Sequence, residues 1–184
     1  GVGGGAGGGG EAGVGARGGG DGGERGTREG GGGVGRMGRV LCGRVVSGGS
    51  ASVVDGWGDP ETLAVLMKPA PGTKVHDVAV DARVGGAFGL TMVIGETRVP
   101  IHGVYTRIER PDDSGVGRLS FTWVSVRTVG VESEVALTFE AMDGARTRLT
   151  LEHIGFPDQS SRDDHEGGWT RIVATLGERW DPAG

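Results

Sequence analysis

The chain has 184 residues, 42 of them glycine and one cysteine, and a formal charge of −5. That length suits one ordinary domain. The mild acidity argues against a nucleic-acid partner, and a lone cysteine excludes a disulfide framework and a cysteine-built zinc site. Apolar runs no longer than Leu63-Ala64-Val65-Leu66-Met67 are far too short to span a bilayer. With no basic and apolar leader in view, a soluble cytoplasmic protein is expected.

Half of the glycines fall within residues 1–35. Residues 1–36 also hold Arg17, Arg25, Arg28 and Arg36 against Glu11, Asp21, Glu24 and Glu29, so this stretch is neutral. Glycine loses most backbone entropy on ordering, and there is little side-chain surface here to bury in return. A disordered low-complexity tail over 1–36 is expected, followed by a domain over 37–184. Met37 would suit an initiator, which makes the tail a linker or translated sequence upstream of the start, and a chain opening on Gly1 a fragment or processed product.

From Arg39 the pattern changes. Arg39–Val46 is rich enough in Val and Leu for a strand despite Gly43. Ala51–Trp57 is a short, poor helix candidate. Asp59-Pro60-Glu61 is a firm helix start, with Asp as cap and Pro at the first helical position, and the helix runs to about Met67 before Pro69 and Pro71. Strands follow at Lys74–Ala82, Ala87–Ile94, Arg98–Glu109, Arg118–Val126 and Glu134–Ala141, with a sixth through Thr147, Leu149, Leu151 and His153. Pro111–Gly117 reads as an exposed loop, and Asp143-Gly144 as a hairpin turn.

In these segments Phe88, Leu90, Met92 and Ile94 share a face, as do Leu119, Phe121 and Trp123, and Val135, Leu137 and Phe139. Repeated period-two patterning predicts an antiparallel sheet with one buried face. The last element is a long helix. Ser160 or Ser161 would cap it, Asp163, Asp164 and Glu166 would load its positive end, and Trp169, Ile172, Val173, Leu176 and Trp180 form one apolar stripe. The fold class predicted is α+β, in the order β-α-α-β6-α, with a curved antiparallel sheet wrapped on the C-terminal helix. Such a sheet cannot close on a single helix everywhere, so a cavity is expected between them.

That order and several motifs resemble the SRPBCC, START-like or helix-grip, superfamily. Within it they are most similar to the family of the activator of heat shock protein 90 ATPase. The motifs are Trp57-Gly58-Asp59-Pro60-Glu61-Thr62-Leu63, Asp81-Ala82-Arg83-Val84-Gly85-Gly86-Ala87-Phe88, Gly103-Val104-Tyr105 with Ile108, Arg118-Leu119-Ser120-Phe121-Thr122-Trp123, Thr147-Arg148-Leu149-Thr150-Leu151 and His165-Glu166-Gly167-Gly168-Trp169. They cover about residues 44–180. The chain departs from the pattern at Gly48–Val54 and at Gly56 and Gly58, so a frayed first helix is expected. The loop at Asp112–Gly117 looks longer than usual.

The resemblance implies a hydrophobic cavity for a small-molecule or lipid-like ligand. Trp57, Phe88, Met92, Phe121, Trp123, Phe139, Gly168 and Trp169 are the candidate lining residues, with Tyr105, His102 or His153 orienting the ligand's polar end. Ordinary core is the plainer role for most of the aromatics. His153, on the inward face, is the candidate acid/base residue should the chain act as a polyketide cyclase or aromatase; a hydrogen-bonded histidine in the sheet is the plainer reading. His165 beside Asp163, Asp164 and Glu166 does not make a metal site, because helical neighbours point in different directions. Gly85-Gly86 reads as a turn, whereas Gly167-Gly168 inside a helix asks for a close backbone approach to the sheet or to a bound molecule. No cofactor is called for. A chaperone, as the family's name suggests, and a second copy in a homodimer are the other partners considered.

Overall fold

The computed structural model describes residues 38–181, so the tail expected over 1–36 and Met37 lie outside the described residues. Seven strands form one antiparallel sheet. They are β1 (Arg39–Ser47), β2 (Lys74–Val80), β3 (Ala87–Ile94), β4 (Thr97–Glu109), β5 (Val116–Ser125), β6 (Ser133–Met142) and β7 (Arg146–Ile154). Their order across the sheet is β1-β7-β6-β5-β4-β3-β2, so β1 crosses to the far edge and every other pairing joins chain neighbours. Helices α1 (Ser50–Gly56) and α2 (Pro60–Leu66) fill the crossover, and α3 (Gln159–Trp180) closes the chain. This is the curved helix-grip arrangement that the patterning predicts.

The predicted strands fall where expected, with β3 matching residue for residue and the others shifting by one or two residues at their ends. The exposed loop expected over Pro111–Gly117 shrinks, because β5 begins at Val116 and Gly115 closes a turn onto the Asp112 carbonyl at 2.8 Å. A 3-10 turn at Val126–Thr128 follows β5 and is too short for periodicity to reveal. Ser125 caps it, its hydroxyl oxygen accepting from the backbone N–H groups of Arg127 and Thr128.

Helix α2 starts as its sequence dictates, with the Asp59 carboxylate accepting from the Thr62 backbone at 2.8 Å. Helix α1 is formed over seven residues although its Gly49 cap supplies no side-chain bond. Tertiary packing replaces the missing local signal. Val53 and Val54 are buried, and Gly56 is required: a Cβ there would stand 2.7 Å from the Trp180 ring of α3. The expectation of a frayed first helix is therefore corrected.

The start of α3 is corrected as well. Asp158 caps it, accepting from the Ser161 N–H at 2.7 Å, which puts Ser160 and Ser161 inside the first turn. Asp163 and Asp164 thus sit beyond that turn and have cationic partners instead, Arg162 at 2.9 Å and Arg127 at 3.0 Å respectively. The predicted stripe from Trp169 to Trp180 is buried against the sheet, extended toward the N-terminus by Ser161 and His165.

Candidate functional site

Alternation assigns a strand residue to a face but not to an end of that face, and the two ends of this sheet differ. At one end Phe88, Tyr105 and Phe121 pack ring against ring, with centroids 5.2 Å apart for Phe88 and Phe121 in an edge-to-face contact. Trp57 is buried with them, and the Tyr105 hydroxyl donates to its carbonyl at 2.9 Å. Burial pushes the Tyr105 phenol up to about 12. Phe139 is fully buried on β6. This end is solid core.

At the other end the sheet and α3 diverge and leave a cavity of about 360 Å³. Its sheet wall is Met92 and Ile94 of β3, Val99 and Ile101 of β4, and Trp123 and Ser125 of β5. The helix wall is His165, Gly167, Gly168, Trp169 and Ile172. Pro69 and Ala70, in the loop after α2, stand over one side, and Arg127, Asp163 and Asp164 ring the mouth.

Of the lining residues predicted from sequence, Met92, Trp123, Gly168 and Trp169 are brought together here. Trp57, Phe88, Tyr105, Phe121 and Phe139 belong to the core, with Tyr105's hydroxyl already committed to Trp57. His102 is exposed on the opposite face of β4, where alternation puts it between inward Ile101 and Gly103. It cannot orient a ligand in this cavity. The close neighbour of Gly168 is neither the sheet nor another backbone but a loop side chain: a Cβ there would stand 3.3 Å from Cβ of Pro69. Gly167 faces open space.

His153 sits behind the cavity wall, fully buried. Its Nδ1 accepts the indole N–H of Trp169 at 2.9 Å, which leaves the ring proton on Nε2, 2.8 Å from Oγ of Ser133. Ser133 in turn donates to the Trp123 carbonyl at 2.9 Å. Burial, with a smaller contribution from His165, pushes the His153 pKa down to about 2. Both nitrogens are engaged within the protein, so no lone pair faces the cavity and the acid/base role considered for His153 has no geometry to support it.

His165 was absent from the predicted site, yet it lines the cavity. Its Nδ1–H donates to the Ser161 carbonyl at 2.7 Å, and its Nε2 accepts the indole N–H of Trp123 at 3.1 Å. Burial holds its pKa below the ordinary histidine value against the opposing pull of the Ser161 bond and Asp164. The signal was in the sequence: His165 precedes Trp169 by four residues and so extends the same stripe. Ser125 and Arg127 were missed because no periodic pattern marks a strand end and a single turn.

A family model described as Activator of Hsp90 ATPase homolog 1-like protein matches residues 51–180. The chain belongs to this family. A comparison with curated proteins finds no match. Among solved structures, protein CV1439 from Chromobacterium violaceum shares the fold of this family member at a TM-score of 0.67 and 20% identity, covering 79% of this chain and 99% of that one. Protein NE0264 from Nitrosomonas europaea gives 0.60 and 21%, covering 76% and 92%. An AHSA1-like protein from Aeromonas hydrophila gives 0.58 and 22%, covering 77% and 90%. At these identities the likeness speaks for the fold alone.

Proposed function

We propose that this family member binds a hydrophobic small molecule in the cavity between its sheet and C-terminal helix, without catalysing a reaction on it. The observation that carries the reading is the cavity itself: about 360 Å³, walled by Met92, Ile94, Val99, Ile101, Trp123, Trp169 and Ile172. That volume lies in the range of small-molecule sites, and burying apolar ligand surface there yields roughly 25 cal/mol per Å². A cytoplasmic setting belongs to the same reading, as the free Cys42 suits a reducing compartment. The test is organic extraction of the purified protein followed by mass spectrometry. An apolar compound enriched over an extract of the Gly167→Leu variant supports the reading, and identical extracts count against it.

The family description names a chaperone ATPase, which supports a second reading as a co-regulator. Stimulation of a purified chaperone's ATPase by this protein would favour it, and an unchanged rate would remove it.

A further inference from the structure

The polar groups buried in the cavity wall are almost all spoken for, and the exception is informative. The indole N–H groups of Trp123 and Trp169 are donated to His165 and His153. Both nitrogens of His165 are engaged. At the mouth, Arg127 donates to Asp164 at 3.0 Å, and Asp163 accepts from Arg162 at 2.9 Å and from Gln159 at 2.7 Å. A charged ligand group drawn into the cavity would therefore meet no free counter-charge on its inner wall, and burying an unpaired charge is costly.

Ser125 is different. It follows Trp123 on the inner face of β5, is 5% exposed and lines the cavity. A hydroxyl has two acceptor lone pairs and one proton to give. Its oxygen accepts from the backbone N–H groups of Arg127 at 3.1 Å and Thr128 at 3.3 Å, so both lone pairs are committed to the 3-10 turn. Its proton is committed to no protein group among the described residues. That leaves one side-chain donor on the inner wall, held in place by the turn it caps.

Resting on the binding reading above, we infer that the ligand is an uncharged, largely apolar molecule carrying a hydrogen-bond acceptor, such as a ketone, ester or ether oxygen, which receives the Ser125 proton. The test uses naphthalenes of matched shape: 2-acetylnaphthalene with an acceptor, 2-ethylnaphthalene without one, and the 2-naphthoate anion. Titration calorimetry is run on the wild type, Ser125→Ala and Thr128→Val.

The two neutral compounds bind the wild type, and naphthoate binds at least about tenfold more weakly than the ketone. In Ser125→Ala the ketone loses about fivefold in affinity relative to the hydrocarbon, because its oxygen is left dry and unpaired. Comparing two ligands within one variant cancels any loosening of the turn. Thr128→Val, which loosens the turn but keeps the Ser125 hydroxyl, leaves the ketone-to-hydrocarbon ratio at its wild-type value. An unchanged ratio in Ser125→Ala, a changed ratio in Thr128→Val, or naphthoate binding as tightly as the ketone overturns the inference while leaving the binding reading intact. Failure of both neutral compounds to bind removes the binding reading and this inference with it.

Discussion

Trp169 on the C-terminal helix donates its indole N–H to His153 in the last strand, and the exchange is returned: Trp123 in the sheet donates to His165 on the helix. The two indoles are 5.1 Å apart between centroids and the two imidazoles 5.0 Å. Each histidine needs its acceptor nitrogen unprotonated, and each tryptophan needs an acceptor because its N–H is buried. The quartet clamps helix to sheet beside the cavity and fixes the two rings that form part of its wall.

Removing one donor exposes the cost of leaving a buried acceptor unpaired. Trp169→Phe keeps most of the packing but strands Nδ1 of His153, so it lowers stability by about 1–3 kcal/mol. Urea denaturation measures this. A loss no larger than that of an exposed substitution would show that the bond contributes nothing.

Acid should weaken the same clamp. Both histidines have folded pKa values below their ordinary value, His153 at about 2. Below about pH 6.5 the unfolded chain takes up protons that the folded one refuses, so stability is full above that pH and falls beneath it. The slope approaches about 1.4 kcal/mol per pH unit for a histidine that stays neutral in the fold. Carboxylates with lowered pKa values, such as the α2 cap Asp59, lose their contribution at lower pH, nearer 4. Denaturation at pH 7.5 and 5.0 should therefore show a clear loss in the wild type and a smaller one in His153→Phe. Equal stability at the two pH values would contradict this.

Tyr105 separates core from site. Tyr105→Phe strands the Trp57 carbonyl and costs about 1 kcal/mol of stability. Ligand affinity stays unchanged, because the ring lies at the solid end of the sheet. A fall in affinity without a fall in stability would return Tyr105 to the site.

These contrasts show what the sequence could and could not convey. Alternation in Phe88–Ile94 and Arg118–Ser125 fixed which side chains face inward, and the stripe from Trp169 to Trp180 fixed the helix face that covers them. Alternation is blind to position along a strand. Phe88 and Met92 look equivalent, yet one packs on Tyr105 and the other lines the cavity, because only strand register decides which end lies under the divergent part of α3. His102 and His153 differ by alternation alone: His102 falls between inward Ile101 and Gly103, whereas His153 is in step with inward Leu149 and Leu151. The α1 helix was undervalued because its stability comes from Gly56 fitting under Trp180, a contact between residues far apart in the chain.

Gly167 gives the most direct handle on the cavity. Its missing side chain faces open space at the cavity wall, and a glycine inside a helix costs about 1 kcal/mol relative to a good helix former. Gly167 is exposed one turn from Asp163 and Asp164 at the mouth. Gly167→Leu should thus raise the melting temperature while laying its side chain across the entrance to the cavity. Calorimetric titration of wild type and Gly167→Leu with 2-acetylnaphthalene, repeated at two temperatures, decides the matter. We expect saturable one-to-one binding with a negative heat-capacity change in the wild type, and none in the more stable variant. Indistinguishable isotherms for the two proteins would contradict the account.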